Sequence, residues 1–193
     1  FGMYSAVYPL YTFVLALAIA GFPASVSKWA AEKAAQGRHR EARTVLAIAG
    51  ATLSVVGLLC FAALYFGADV FAGWIGIRGT APAIRSVSFA FLFVPIMSAL
   101  RGYFQGMHVM APTAVSQVAE QCVRVAVMLA ALLYLTAAHA SDSVIAAGAM
   151  FGSTAGAAAG LAVMAGFWFR HVRAERLTAA SSTGKAAERR RAN

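Results

Sequence analysis

The sequence predicts an all-α fold, a polytopic bundle of transmembrane helices. Three observations carry that reading. Hydrophobic residues make up 61% of the 193 residues, against roughly 45–50% in soluble domains. Charged residues fall to 12%, half the usual share of about 25%. The apolar residues are gathered into long runs, and about 20 in a row suffice to cross a bilayer core. A soluble all-helical core is the competing reading, and the composition disfavours it.

The first span is expected over residues 4–27. Tyr4, Tyr8 and Tyr11 fit an aromatic belt at one end. Gly21 and Pro23 interrupt the far half, where Pro removes a backbone bond and kinks a helix. Residues 28–43 form a basic block in which the helix runs on to Ala35 and Gly37 ends it. The second span, 44–66, carries no charge. A loop follows, in which Phe71, Trp74 and Ile75 suit a short interfacial helix. The third span is expected over 82–107, with Pro82 at its start and a bend at Pro95. The fourth covers 113–135, restarted by Pro112, whose missing N–H costs nothing in a first turn. The fifth covers 144–169, with Asp142 or Ser143 as its cap. These spans make residues 1–170 one transmembrane lobe. Residues 171–193 read as a basic, disordered tail.

The net charge of +9 does not point to nucleic acid. Of the 16 basic residues, 13 lie in 28–43, 101–112 and 170–193. Those blocks flank apolar helices, and aromatics interleaved for base stacking are absent. Positive residues mark the cytoplasmic side. Phe1 is therefore expected outside and the tail inside, with five spans between them. An odd count with an external N-terminus leads to the expectation of one preceding helix.

The stretch 95–124 organises the chain. It carries Arg101, Gln105 and His108 at a polar break, then Gln117, Glu120, Gln121 and Arg124 inside an apolar run. Ionisable residues at that depth are expensive and face a protein interior or a watery cavity. Glu120 and Arg124 are four apart and can pair on one helix face. They form either a self-neutralised structural pair or the charged wall of a cavity. Lys28 is either a snorkelling boundary lysine or a phosphate contact, and Arg101 carries the same ambiguity. Gly148, Gly152, Gly156 and Gly160 recur every four residues and make a smooth stripe for close helix packing, or a surface that slides.

Other chemistry finds no support. Cys60 and Cys122 have neither metal spacing nor a disulfide framework. His39, His108, His139 and His171 fall in loops or tails and receive no role. No Ser/His/Asp set, carboxylate pair or phosphate-cradling glycine loop is present, so no enzyme, metal or cofactor is expected.

Three stretches carry a family resemblance: YSAVYPLYTFVLALAIAGFPASVSKWAAE, FVPIMSALRGYFQGMHVMAPTAVSQVAEQCVRV and AAGAMFGSTAGAAAGL. In order and spacing they resemble the stage V sporulation protein B and polysaccharide biosynthesis branch of the multidrug/oligosaccharidyl-lipid/polysaccharide exporter superfamily. The resemblance covers nearly all of 4–170. It implies a flippase for a lipid-linked saccharide in the bacterial cytoplasmic membrane, such as a peptidoglycan precursor or polysaccharide repeat unit. It implies two lobes around a cationic cavity that work by alternating access, and membrane lipid and the lipid-linked saccharide as partners. Against that pattern the chain resembles most of an N-terminal lobe, lacking the family's first helix and its second lobe. By matching position, Lys28, Arg101, Gln105, Gln117, Glu120 and Arg124 are the cavity candidates. A diphosphate there would need Arg or Lys contacts. The alternatives are a drug or small-molecule exporter of the same superfamily, and a non-transporting scaffold in envelope assembly.

Overall fold

A computed structural model of the chain describes residues 8–9, 12–13, 22–76 and 79–192. Among the described residues from 22 onward, seven helices follow in order: α1 Phe22–Ala35, α2 His39–Phe66, α3 Ala68–Ile75, α4 Ala81–Ser88, α5 Ala90–Gly106, α6 Ala111–Ala137 and α7 Asp142–Ala192. Among the described residues, four stretches are long and apolar enough to cross a membrane: Arg40–Phe66, Ala81–Gly106, Ala111–Ala137 and Asp142–Ala174. The protein is an all-α membrane bundle. Most of the first expected span, 4–27, lies outside the described residues.

The turns between helices follow from local chemistry. At the end of α1, Gly37 takes φ +70°. Its N–H bonds the Ala34 carbonyl at 2.9 Å, and Arg38 N–H bonds Lys33 at 3.0 Å. This crossed pair satisfies carbonyls that a helix end leaves open. The same pair recurs after α5, where His108 (φ 59°) bonds Gln105 and Val109 bonds Phe104. It recurs again after α6, where His139 (φ 52°) bonds Thr136 and Ala140 bonds Leu135. Two of the histidines left without a role thus occupy the left-handed position that stops a helix. The Ser141 carbonyl accepts the first bond of α7, from Ile145 N–H at 3.0 Å. The cap position therefore falls one residue before Asp142.

The expected third span is not one uninterrupted helix. It breaks at Phe89 into α4 and α5, where Leu92 N–H bonds back three residues to Phe89. The carbonyls exposed by the break find hydroxyl donors. Ser88 Oγ donates to Arg85 O at 2.7 Å and Thr154 Oγ1, from α7, donates to Ser86 O at 2.8 Å. Inside a bilayer such groups must be satisfied by protein. Farther along, Pro95 supplies no N–H to the Phe91 carbonyl. Gly57 of α2 sits against that place: a Cβ there would lie 2.5 Å from both Phe91 O and Pro95 Cγ.

The core is built around α5. Phe91, Val94, Met97, Ala99, Leu100, Tyr103 and Phe104 are buried, and α1, α2 and α7 pack on its faces. Helix α6 lies outside this core and packs chiefly on α7. The backbone of α7 continues as helix to Ala192. Residues 171–192 are rich in Ala and Arg, both strong helix formers.

Candidate functional site

The site begins with the polar positions of α6. Thr113, Ser116, Gln117, Glu120, Gln121 and Arg124 recur at steps of three and four, so they share one face of the helix. One edge of that face turns into the lobe, where Thr113, Ser116 and Glu120 are buried. The other edge, with Gln117 and Gln121, is exposed. Arg124 is half-buried between the two edges.

Helix α7 makes the buried edge possible. A Cβ added at Gly156 would lie 2.7 Å from the Glu120 carbonyl, and one at Gly152 would lie 2.8 Å from the Arg124 carbonyl. Gly160 faces the same polar groups: its Cβ would stand 3.3 Å from Glu120 Cβ and 3.5 Å from Arg101 Nη2. Gly148 faces Leu135 and Ala131 at the far end of α6. Backbone contact of this kind is what a glycine every four residues permits.

Arg101 reaches into this space from α5. Its Nε and Nη2 both donate to Ser116 Oγ, at 3.1 and 2.6 Å. Nη2 also donates to Glu120 Oε2 at 2.9 Å. The other carboxylate oxygen, Oε1, accepts from Arg124 Nη2 at 2.7 Å. Glu120 is therefore not half of a simple pair. It bridges two arginines, one oxygen for each. The three side chains keep only 14% (Arg101), 10% (Glu120) and 18% (Arg124) of their surface exposed. Two cations and one carboxylate leave the cluster with an excess of one positive charge. Arg124 Nε is buried and has no hydrogen-bond partner among the described residues.

The other candidates stand apart. Lys28 on α1 is exposed, as is Gln117, and Gln105 is half-buried. None of the three bonds to the arginine cluster. Sequence reasoning missed Ser116, since a serine fifteen positions from Arg101 gives no sign of the contact. It also missed a second polar group. Arg43 of α2 lies over the Trp168 ring at 6.0 Å. Tyr103 packs edge-on against Trp168 at 5.3 Å and against His171 at 6.2 Å. A single sequence carries no signal that joins positions 43, 103 and 168.

A buried, cation-rich cluster in a membrane lobe suits an anion. Guanidinium groups grip phosphate oxygens two at a time and shed water more readily than ammonium does. The model of the family described as polysaccharide biosynthesis protein matches residues 1–184. The chain belongs to this family. It is 39% identical over 171 residues to the lipid II flippase MurJ of Bacillus subtilis, with 83% of the chain aligned. It is 38% identical over 170 residues to the uncharacterized membrane protein YabM of the same organism, with 88% aligned. To stage V sporulation protein B it is 32% identical over 161 residues. Each alignment covers 31% of the relative's own length, so the chain spans about a third of these proteins. No solved structure matches the chain. Family and apolar helices together make it a multi-pass bacterial membrane protein.

Proposed function

We propose that the complete protein moves a lipid-linked saccharide across the bacterial cytoplasmic membrane by alternating access. This chain supplies most of its N-terminal lobe, and a further helix and a second lobe complete the cavity. One observation carries the reading: the buried cluster of Arg101, Glu120 and Arg124 holds excess positive charge on a helix face that opens at Gln117 and Gln121. Exposed glutamines beside buried arginines in an apolar helix fit a water-filled cavity better than hydrocarbon. A diphosphate linker brings negative charge that must be neutralised where the bilayer offers no water. The polar sugar would run along the glutamine edge, and the lipid chain would stay in the bilayer. Lys28 and Gln105 belong to the inner mouth of the same cavity. The cargo is translocated without bond cleavage, and the chain acts as a transporter rather than an enzyme.

Arg124→Gln, placed in the complete protein, tests this reading. In cells depleted of their own flippase it is expected to reach the membrane at the normal level and fail to restore growth. Full complementation by that variant overturns the reading and leaves the cluster a structural device, as a scaffold protein would use it.

A further inference from the structure

Resting on the flippase reading, we propose that Glu120 is a built-in competitor for the incoming anion, and that Arg124 is the arm that exchanges one for the other. The two arginines are not equivalent. Arg101 is committed: the adjacent Nε and Nη2 donors both rest on Ser116 Oγ, and Nη2 also reaches Glu120. Ser116 is wholly buried, so Arg101 is fixed from beneath. Among the described residues Arg124 is held at one point only, by Nη2 on Glu120 Oε1. Its neighbouring donor, Nε, is buried with no partner among the described residues.

Nε and Nη2 form one edge of a guanidinium, the edge that takes two parallel hydrogen bonds from an oxyanion. Glu120 fills half of that edge on Arg124, because its second oxygen is engaged by Arg101. A phosphate-type group arriving from the exposed Gln117 and Gln121 side can fill both halves. The exchange conserves pairing. Arg124 leaves the carboxylate for the phosphate, Glu120 keeps Arg101, and the excess positive charge is neutralised by the ligand. A carboxylate that must first be displaced weakens binding, which lets the ligand leave again. Removing that carboxylate should therefore tighten the site.

The complete protein in nanodiscs of zwitterionic lipid provides the test. One arm measures binding of radiolabelled inorganic diphosphate by equilibrium dialysis. The other loads the nanodisc with undecaprenyl diphosphate and follows the shift in thermal unfolding, since a ligand that binds the folded state raises it. Glu120→Gln should bind roughly tenfold tighter than the natural protein, the worth of one charge-assisted hydrogen bond. Glu120→Asp, which keeps the charge but is too short to hold both arginines, should bind tighter by a smaller factor. It decides the matter if the Gln variant does not fold. Arg124→Gln should lose binding. This ranking in either arm supports the proposal, and the arm that shows it tells whether a lipid must carry the anion. If the natural protein binds and both Glu120 variants bind equally or more weakly, the competition is overturned while the anion site stands. If no variant and not the natural protein binds either probe, the flippase reading falls with it.

Discussion

Glu120 decides what each single change in the cluster does. Arg124→Gln removes the excess charge and leaves Arg101 and Glu120 balanced. Glu120→Gln leaves two guanidinium groups buried together with no counter-charge. A stranded charge of this kind costs roughly 3–5 kcal/mol, whereas losing one hydrogen bond to a charged group costs about 1.5–3 kcal/mol. Glu120→Gln should therefore be the most destabilising single change, and adding Arg124→Gln to it should recover part of the loss. Thermal unfolding of the single and double variants checks this. A double variant less stable than Glu120→Gln alone would show the arginines to be independent. The sequence made three of these residues visible, because charges are conspicuous in an apolar run. It suggested a two-member pair, since helical spacing links Glu120 to Arg124 but says nothing of α5. The third member arrives through tertiary packing, as does Ser116. Arg43 and Trp168, 125 positions apart, were beyond any local pattern.

Helix packing repeats that lesson at larger scale. The glycine stripe was legible because a period of four marks one helix face. Its partner was not: α6 rather than α5 receives most of it. The structure also separates the four glycines by what an added methyl would strike. At Gly152 and Gly156 the obstacle is backbone, the carbonyls of Arg124 and Glu120. At Gly148 and Gly160 it is the end of a side chain, Leu135 Cδ1 at 2.6 Å or Met97 Sδ at 2.7 Å. A side chain can rotate aside, whereas a backbone carbonyl moves only with its helix. Alanine at 152 or 156 should thus lower the unfolding temperature clearly more than alanine at 148 or 160, by about 2 kcal/mol of added overpacking cost. Equal losses at all four sites would mean that α7 rests on α6 less closely than this geometry requires. The break at Phe89 was illegible for a different reason. No glycine or proline marks it, and the hydroxyls that make it tolerable, on Ser88 and Thr154, lie on two helices.

Across the whole molecule, orientation in the membrane is set by the distribution of charge. Basic residues crowd the α1–α2 turn and the far part of α7, whereas the α6–α7 turn at 138–141 has no Lys or Arg. The positive-inside rule places the first group in the cytoplasm and that turn outside. The arrangement of helices makes the placement self-consistent. Three candidate spans, Arg40–Phe66, Ala81–Gly106 and Ala111–Ala137, lie between the two turns, and consecutive spans that each cross once must alternate in direction. An odd number of crossings separates the α1–α2 turn from the α6–α7 turn, so the two must lie on opposite sides. Gln36 and His139 are exposed positions in those turns. In a protein whose Cys60 and Cys122 are replaced by serine, Gln36→Cys should resist a membrane-impermeant thiol reagent added to intact cells. His139→Cys should react with it. The same reagent applied to inverted vesicles should reverse the pattern. Labelling of position 36 from outside would invert the lobe. It would place the arginine cluster, which lies toward the α1–α2 end of the bundle through Arg101 and the start of α6, nearer the outer surface. On the proposed reading, a lipid-linked saccharide arriving from the cytoplasm would then meet the wrong end of the site, and a scaffold would become the better reading of the same buried charges.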